Sequence, residues 1–244
     1  MVMDMNKLSL SCDYEKIFSN RLVIITGVAR SGTSILGRIL GSLKNAIYLY
    51  EPLLMCLGTT VAANSSMNFK LVSQLLKSVL FEDYYVQMLH GRNLNFKKSD
   101  NSFIGNYQHL KNVKERWSKY DRRKDIFEDI YNGKYVFVLK INDVHTLFPT
   151  FEKIFKGVKI VHMLRNGNGV IGSSLNKGWY SDEHLNSLII QWLRQGKTKI
   201  PWYVPDRDIK KFRKWNRETR TAYIWRILAR AGMAYAAGKN NCLE

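Results

Sequence analysis

Residues 22–34 read LVIITGVARSGTS, an apolar run followed by a glycine-containing segment. The first six residues form a β-branched apolar run that ends in glycine, as a buried strand of a parallel sheet does. Apolar residues then recur at helical spacing over 33–43, so a helix is predicted to follow at once. Residues 46–49 read as a second strand. This order predicts a βαβ unit in a parallel sheet, with functional loops at the carboxyl ends of the strands.

The pattern of apolar residues extends this sheet further along the chain. Residues 135–141 and 158–164 are predicted to form two more strands, separated by a helix around 144–155. Residues 69–80 are predicted to be helical. The stretch 82–132 is polar, basic and aromatic, and we interpret it as an insertion of helices and loops at the sheet edge.

The last quarter of the chain is predicted to be mostly helical. A glycine-rich turn and a short helix follow the fourth strand, and an aromatic loop, 200–205, precedes a long basic helix near 207–236. Together these elements predict one domain over residues 1–244, with a three-layer α/β/α architecture around a central parallel sheet.

Composition excludes several classes of protein. With 244 residues and 45% hydrophobic residues, the chain can bury a substantial core, so it is neither disordered nor fibrous. Its three cysteines are widely separated and form no CxxC pair, which argues against a disulfide framework or a structural zinc site. The first 18 residues do not resemble a signal peptide, and no apolar run is long enough to span a membrane. A cytoplasmic location is expected.

The net charge of +18 is concentrated near the carboxyl terminus. Residues 194–230 contain twelve Lys or Arg and only three Asp or Glu. Two interpretations stay open: a solvated helix face, or a surface that attracts an anionic cofactor, acceptor or membrane. Nucleic acid is not expected to bind, because no motif that reads nucleic acid accompanies the charge.

The segment GVARSGTS between the first strand and its helix has the features of a phosphate-binding loop. Gly27 and Gly32 let the backbone wrap around an oxyanion, and Thr33 and Ser34 add hydroxyls at a helix amino terminus. Arg30 adds a forked positive charge. Thr33 stands where a Walker A loop requires lysine, so an ATP-type loop is not predicted.

Two motifs in this chain resemble those of sulfotransferases that use 3′-phosphoadenosine-5′-phosphosulfate (PAPS). The RSGTS run resembles the 5′-phosphosulfate loop of that family. The segment VHMLRNGNGVIGSSL, 161–175, resembles its 3′-phosphate motif, with Arg165 after a strand and Ser173 in the next helix. Asn166 and Asn168 stand where the family usually has an acidic and a second basic residue. The residues that the resemblance assigns to the nucleotide are Gly27, Arg30, Ser31, Gly32, Thr33, Ser34, Arg165 and Ser173.

The resemblance implies a P-loop NTPase-like sulfotransferase fold, with PAPS as co-substrate and no metal. Sulfuryl transfer needs a base for the acceptor and positive charge near the leaving group. Glu51 and Lys140 follow or end strands on the predicted edge, and both resemble catalytic residues of some family members in placement. By family analogy the acceptor is expected to be the hydroxyl or amine of a carbohydrate, while a peptide tyrosine and a small phenol stay open. The aromatic residues that could stack on a sugar ring are Trp179, Tyr180, Trp202 and Tyr203. The histidines considered as alternative bases are His90, His109, His145 and His162.

Two other functions compete with sulfuryl transfer. A P-loop kinase or NTPase would need the Walker lysine and a metal-binding Asp after a hydrophobic strand, yet the later strands end in Lys140 and Arg165. A basic scaffold with a vestigial nucleotide fold could instead bind polyanions through residues 194–230. In sulfotransferases the long helix leads into another strand, so Cys242 and Leu243 are expected to begin one and the chain is expected to be a partial protein.

Overall fold

One parallel sheet organises the chain. The structure, a computed structural model, describes residues 13–63, 68–187, 199–237, 239 and 242–243. Within these residues five parallel strands lie in the order β2-β3-β1-β4-β5. The strands are β1 Leu22–Gly27, β2 Ala46–Tyr50, β3 Val136–Lys140, β4 Lys159–Met163 and β5 Cys242–Leu243. The predicted α/β class with a central parallel sheet is confirmed.

Helices cover both faces of this sheet. The α-helices are α1 Tyr14–Phe18, α2 Thr33–Gly41, α3 Leu53–Ala63, α4 Phe69–Ser78, α5 Gln87–Leu89, α6 Leu110–Ser118, α7 Arg123–Tyr131, α8 Phe148–Ile154, α9 Gly167–Leu175, α10 Asp182–Ser187, α11 Ile209–Lys214 and α12 Arg217–Ala236. A π-helix, Val79–Val86, continues α4 into α5. Short 3-10 helices lie at Ile104–Asn106, His145–Leu147 and Asp206–Asp208. None of the helices in these described stretches combines the length and apolar character that a bilayer crossing needs.

Strand register brings the ends of β1, β3 and β4 to one edge. Ile25 of β1 lies opposite Lys140 of β3, and Gly27 lies opposite Met163 of β4. Gly27 is required there, because a Cβ atom at this position would lie 2.5 Å from the Met163 carbonyl oxygen. The loops that follow these three strands therefore meet, as the parallel-sheet rule predicts.

The two faces of the sheet have separate apolar cores. Ile24, Phe137 and Leu139 point to the face covered by α1 and α8, within the largest buried cluster. Tyr48 and Val138 point to the opposite face, which α2 covers. Two glycines of α2 let the helix approach the Tyr48 ring, because a Cβ atom on either would collide with it. The alternation of side chains along each strand thus produces the predicted three layers.

The first four strands match their predicted positions within one residue. The prediction of one continuous basic helix near 207–236 is wrong. It is a 3-10 turn followed by α11 and α12, with Trp215 extended between the two helices. The Asn216 side chain accepts a hydrogen bond from the Thr219 amide at 2.8 Å and caps the amino terminus of α12. This cap favours a new helix start over continuation.

The predictions at the two ends of the chain fare differently. Residues 242–243 pair in parallel with Ile160 and Val161 of β4, so the predicted start of a strand there is confirmed. The amino-terminal residues 1–12 lie outside the described part of the chain. Arg194 and Lys197 of the basic stretch also lie outside it.

Candidate active site

The loop between β1 and α2 contains amide groups that are left without an acceptor. Arg30 and Gly32 both have positive φ, 77° and 100°, which turns the backbone back before α2 begins at Thr33. Among the described residues, the amides of Gly32, Thr33 and Ser34 have no hydrogen-bond acceptor. Amides at the start of a helix, together with the helix dipole, favour an anion. The loop therefore has the geometry of a phosphate cradle.

The second predicted phosphate motif is in direct contact with this loop. Arg30 Nε donates a hydrogen bond to Ser173 Oγ at 2.9 Å, and Arg165 Nη1 donates to the Arg30 carbonyl oxygen at 3.1 Å. Both arginines are exposed, and the terminal nitrogens of Arg30 donate to no described residue. The structure thus brings Arg30 into contact with Arg165 and Ser173, each of which lies more than a hundred positions away in sequence.

Helix α12 holds the second motif in place. Trp225 Nε1 donates to the Arg165 carbonyl oxygen at 3.4 Å, and the Trp225 ring packs against Gly167 at the start of α9. A Cβ atom at Gly167 would lie 3.0 Å from that ring. Asn166 caps α9 by accepting a hydrogen bond from the Asn168 amide at 2.9 Å. Asn166, one of the two asparagines that depart from the family pattern, therefore has a structural role in this chain.

Lys140 and Glu51, the two predicted catalytic residues, form an ion pair at the same edge. The Lys140 side chain is 1% exposed, and its Nζ contacts Glu51 Oε1 and lies 4.4 Å from the centre of the Tyr50 ring. Asn142 Nδ2 donates to the same Oε1 atom at 2.7 Å. The Glu51 side chain is 40% exposed, and Oε2 contacts no polar group among the described residues. One oxygen is fixed, and the other is available to a ligand.

Backbone strain concentrates at this edge. Arg30, Glu51 and Asp143 have φ values of 77°, 44° and 57°, a region that disfavours residues other than glycine. Such a conformation costs on the order of 1–3 kcal/mol for each residue. Hydrogen bonds hold two of them, since the Glu51 amide donates to the Lys140 carbonyl at 2.8 Å and the Asp143 amide donates to that of Gly27 at 3.2 Å. Strain of this kind is typical of functional sites.

Asp143 is a site residue that the sequence reasoning missed. Its Oδ1 accepts a hydrogen bond from the Ala29 amide at 2.9 Å, which ties the end of β3 to the phosphate loop. Desolvation raises the pKa of Asp143 to about 7; the Glu51 carboxylate adds to the rise, while the Ala29 amide and Lys140 oppose it. Its neighbour Asn142 was also missed, and accepts a hydrogen bond from the Thr33 hydroxyl at 2.8 Å. Both follow a strand at its carboxyl end, which was the available signal.

A cavity of about 320 Å³ opens beside these polar groups. Glu51, Asn142 and Asp143 lie on one side, and Trp179, Tyr180 and Tyr203 form an aromatic wall. The Tyr180 and Tyr203 hydroxyls lie 3.3 Å apart. An apolar cavity with a few convergent polar groups is the usual form of a ligand site.

The histidines proposed as alternative bases do not line this cavity. His145 and His162 are buried with ring centres 5.0 Å apart, and burial lowers the pKa of His145 to about 3. His109 accepts a hydrogen bond from the Lys111 amide at 3.3 Å and caps α6. The histidine that does line the cavity is His184, which the sequence reasoning missed.

Among the solved structures that share features of the fold are two sulfotransferase domains. The chain is similar to the sulfotransferase domain of the olefin synthase of Synechococcus PCC 7002, with 14% identity, a TM-score of 0.44, and coverage of 97% of this chain and 69% of that one. It is also similar to the sulfotransferase domain of the curacin biosynthetic pathway, with 13% identity, a TM-score of 0.46, and coverage of 90% and 64%. No family model matches the chain, and no curated protein matches it significantly. What the chain binds is therefore inferred from the geometry of its own site.

Proposed function

We propose that this protein transfers a sulfuryl group from PAPS to a hydroxyl group of an acceptor. One observation supports the proposal above all others: Arg30 contacts both Ser173 and Arg165, which joins the two phosphate motifs at one edge of the sheet. A nucleotide with phosphate groups at both its 5′ and 3′ positions matches two adjacent anion sites better than a nucleoside triphosphate does. The Lys140–Glu51 pair lies at the same edge.

The phosphate loop would hold the 5′-phosphosulfate through its free amides and the Thr33 and Ser34 hydroxyls. Arg165 and Ser173 would hold the 3′-phosphate. Arg30 lies between the two groups and has two terminal nitrogens left to donate. Within the described residues, no three His, Cys, Asp or Glu side chains gather as metal ligands. The proposed binding mode uses arginine, hydroxyl and amide donors.

The proposed chemistry begins with Glu51. Its free Oε2 takes the proton of the acceptor hydroxyl while the acceptor oxygen forms a bond to sulfur. The bond between sulfur and the bridging phosphate oxygen breaks, and the leaving nucleotide gains negative charge. Protonation of Glu51 removes the partner charge of Lys140. The positive charge of Lys140 then becomes available to the leaving oxygen as that oxygen becomes negative.

The acceptor in this proposal is a carbohydrate that enters the aromatic cavity. Trp179 and Tyr203 line it, and flat aromatic rings suit the apolar face of a sugar. Of the aromatic residues singled out in the sequence, Trp202 is the one that does not line the cavity. The volume of the cavity, about 320 Å³, suits one or two sugar units, with the reacting hydroxyl near Glu51.

Labelled PAPS provides the test. We expect the protein to transfer radioactive sulfur from PAPS to at least one member of a panel of oligosaccharides. Arg165→Ala should raise the KM for PAPS by about tenfold or more, because it removes a charge-assisted contact. Arg122→Ala is the matched control, since Arg122 is exposed and pairs with Asp125 in a different region. Transfer of phosphate from ATP in place of sulfate, or an unchanged KM in Arg165→Ala, would contradict the proposal.

A further inference from the structure

A second cavity, also of about 320 Å³, lies between the 3-10 turn Asp206–Asp208 and α12. Three arginines line it: Arg207, Arg226 and Arg230. We call this cavity the arginine groove. None of its lining residues belongs to the phosphate loop or the Arg165 motif.

Charge in the arginine groove is unbalanced. Its lining carboxylate is Asp208, which accepts a hydrogen bond from the Tyr223 hydroxyl at 2.6 Å and lies 3.7 Å from Arg207 Nε. Arg226 and Arg230 form no ion pair with any residue that the structure describes. The Arg226 guanidinium instead lies 5.5 Å from the centre of the Tyr223 ring. The groove thus has three guanidinium groups and one carboxylate, which already contacts Arg207 and Tyr223.

The position of these arginines on α12 separates the groove from the nucleotide site. Arg226 and Arg230 are four residues apart, so they project from the same face of the helix. Like charges at this spacing repel each other, and a bound anion relieves that repulsion. Trp225 instead contacts the Arg165 segment. Helix α12 therefore contacts the Arg165 motif through Trp225 and lines the groove with Arg226 and Arg230.

We propose that the arginine groove binds an oxyanion, a phosphate, sulfate or carboxylate group of a ligand other than the nucleotide. Guanidinium groups recognise such groups through two parallel hydrogen bonds. Tyr203 lines both the groove and the aromatic cavity. If the proposed function holds, an acceptor in the aromatic cavity can place an anionic group in the groove, and the acceptor is then itself an anion.

Inorganic pyrophosphate, titrated by calorimetry, is the probe. The titration uses the full chain carrying Arg30→Ala and Arg165→Ala, so that both arginines of the nucleotide site are absent from every protein that is compared. We expect pyrophosphate still to bind this protein. Adding Arg226→Ala and Arg230→Ala should weaken that binding by about tenfold or more.

Adding Lys97→Ala and Lys98→Ala is the control, because it removes the same charge from exposed positions that do not line the groove. The control should change the affinity by less than about twofold. Arg226→Lys with Arg230→Lys keeps the charge but loses the guanidinium fork, and should weaken binding several-fold; it decides the matter if the alanine variant does not fold. Absence of pyrophosphate binding would overturn the proposal. So would an equal loss of pyrophosphate affinity when Arg226 and Arg230, or Lys97 and Lys98, are replaced by alanine. Neither result would affect sulfuryl transfer from PAPS, which is measured separately.

Discussion

Glu51 is held so that one carboxylate oxygen is fixed and the other is available. Lys140 and Asn142 both contact Oε1, while Oε2 lacks a polar contact among the described residues. The Lys140 ammonium that pairs with Oε1 is itself buried, with its side chain 1% exposed. The proposed role of Glu51 as a general base requires such a free oxygen.

Glu51→Gln tests that role. Glutamine keeps the size and hydrogen-bonding capacity of the side chain but cannot take a proton from the acceptor. We expect kcat to fall by roughly 10²–10⁴-fold, while calorimetry shows nearly unchanged affinity for 3′-phosphoadenosine-5′-phosphate (PAP). Glu128→Gln is the control, because Glu128 lies on α7 and pairs with Lys124 at the surface. If kcat survives in Glu51→Gln, another base acts, and His184 is the next candidate because it lines the cavity.

Asp143→Asn tests the desolvated carboxyl. Because the pKa of Asp143 is raised from 3.8 to about 7 in the folded protein, the folded state holds a proton that the unfolded state releases between these values. The contribution of Asp143 to stability is therefore complete below about pH 4 and is lost as pH rises through 7. Asparagine stays neutral and its oxygen can still accept from the Ala29 amide. Its stability relative to the wild type should rise between pH 4 and 7, by at most about 1.4 kcal/mol per pH unit.

Urea unfolding at several pH values measures this difference. The difference in the free energy of unfolding between Asp143→Asn and the wild type should level off above pH 7. A difference that does not change with pH would show that Asp143 titrates normally.

Gly232 allows helix α12 to approach the sheet closely. A Cβ atom at Gly232 would collide with the buried rings of His162 and His145. Alanine normally favours a helix over glycine by about 1 kcal/mol, but here the overlap should dominate. We expect Gly232→Ala to lower the free energy of unfolding by about 1–3 kcal/mol.

Gly172 of α9 provides the matched control. Nothing lies within 4 Å of a Cβ atom built there, so Gly172→Ala should raise the free energy of unfolding by up to about 1 kcal/mol. Thermal and urea unfolding of the two variants measure both effects. Equal effects of the same sign would show that α12 does not pack against the histidines as described.

Elements were predictable where local pattern and tertiary packing agree. β1 and β3 are apolar runs, and the structure places them within one residue of the prediction. The prediction of a single helix after residue 207 was wrong, because basic residues run through the whole stretch and suggest no break. The break between the two helices depends on one capping contact of Asn216. A capping residue was visible in the sequence, but the run of basic residues on either side concealed it.

At the scale of the whole molecule, topology explains which site residues could be predicted. Arg30, Glu51, Lys140 and Arg165 all follow or end strands, and parallel strands bring such residues to one edge. The aromatic wall was not predictable in this way, because Trp179 and Tyr203 reach the cavity through loops between helices. Nor was the orientation of Asp143, which depends on a positive φ and on the position of the Ala29 amide.

We propose that the two phosphate motifs form one site for a nucleotide with a 3′-phosphate. Calorimetric titration with PAP and with AMP, which differ only in that phosphate, tests it most directly. The structure predicts that PAP binds at least about tenfold more tightly than AMP, and that Arg165→Ala abolishes the difference. Equal affinities of the wild-type protein for PAP and AMP would contradict the claim.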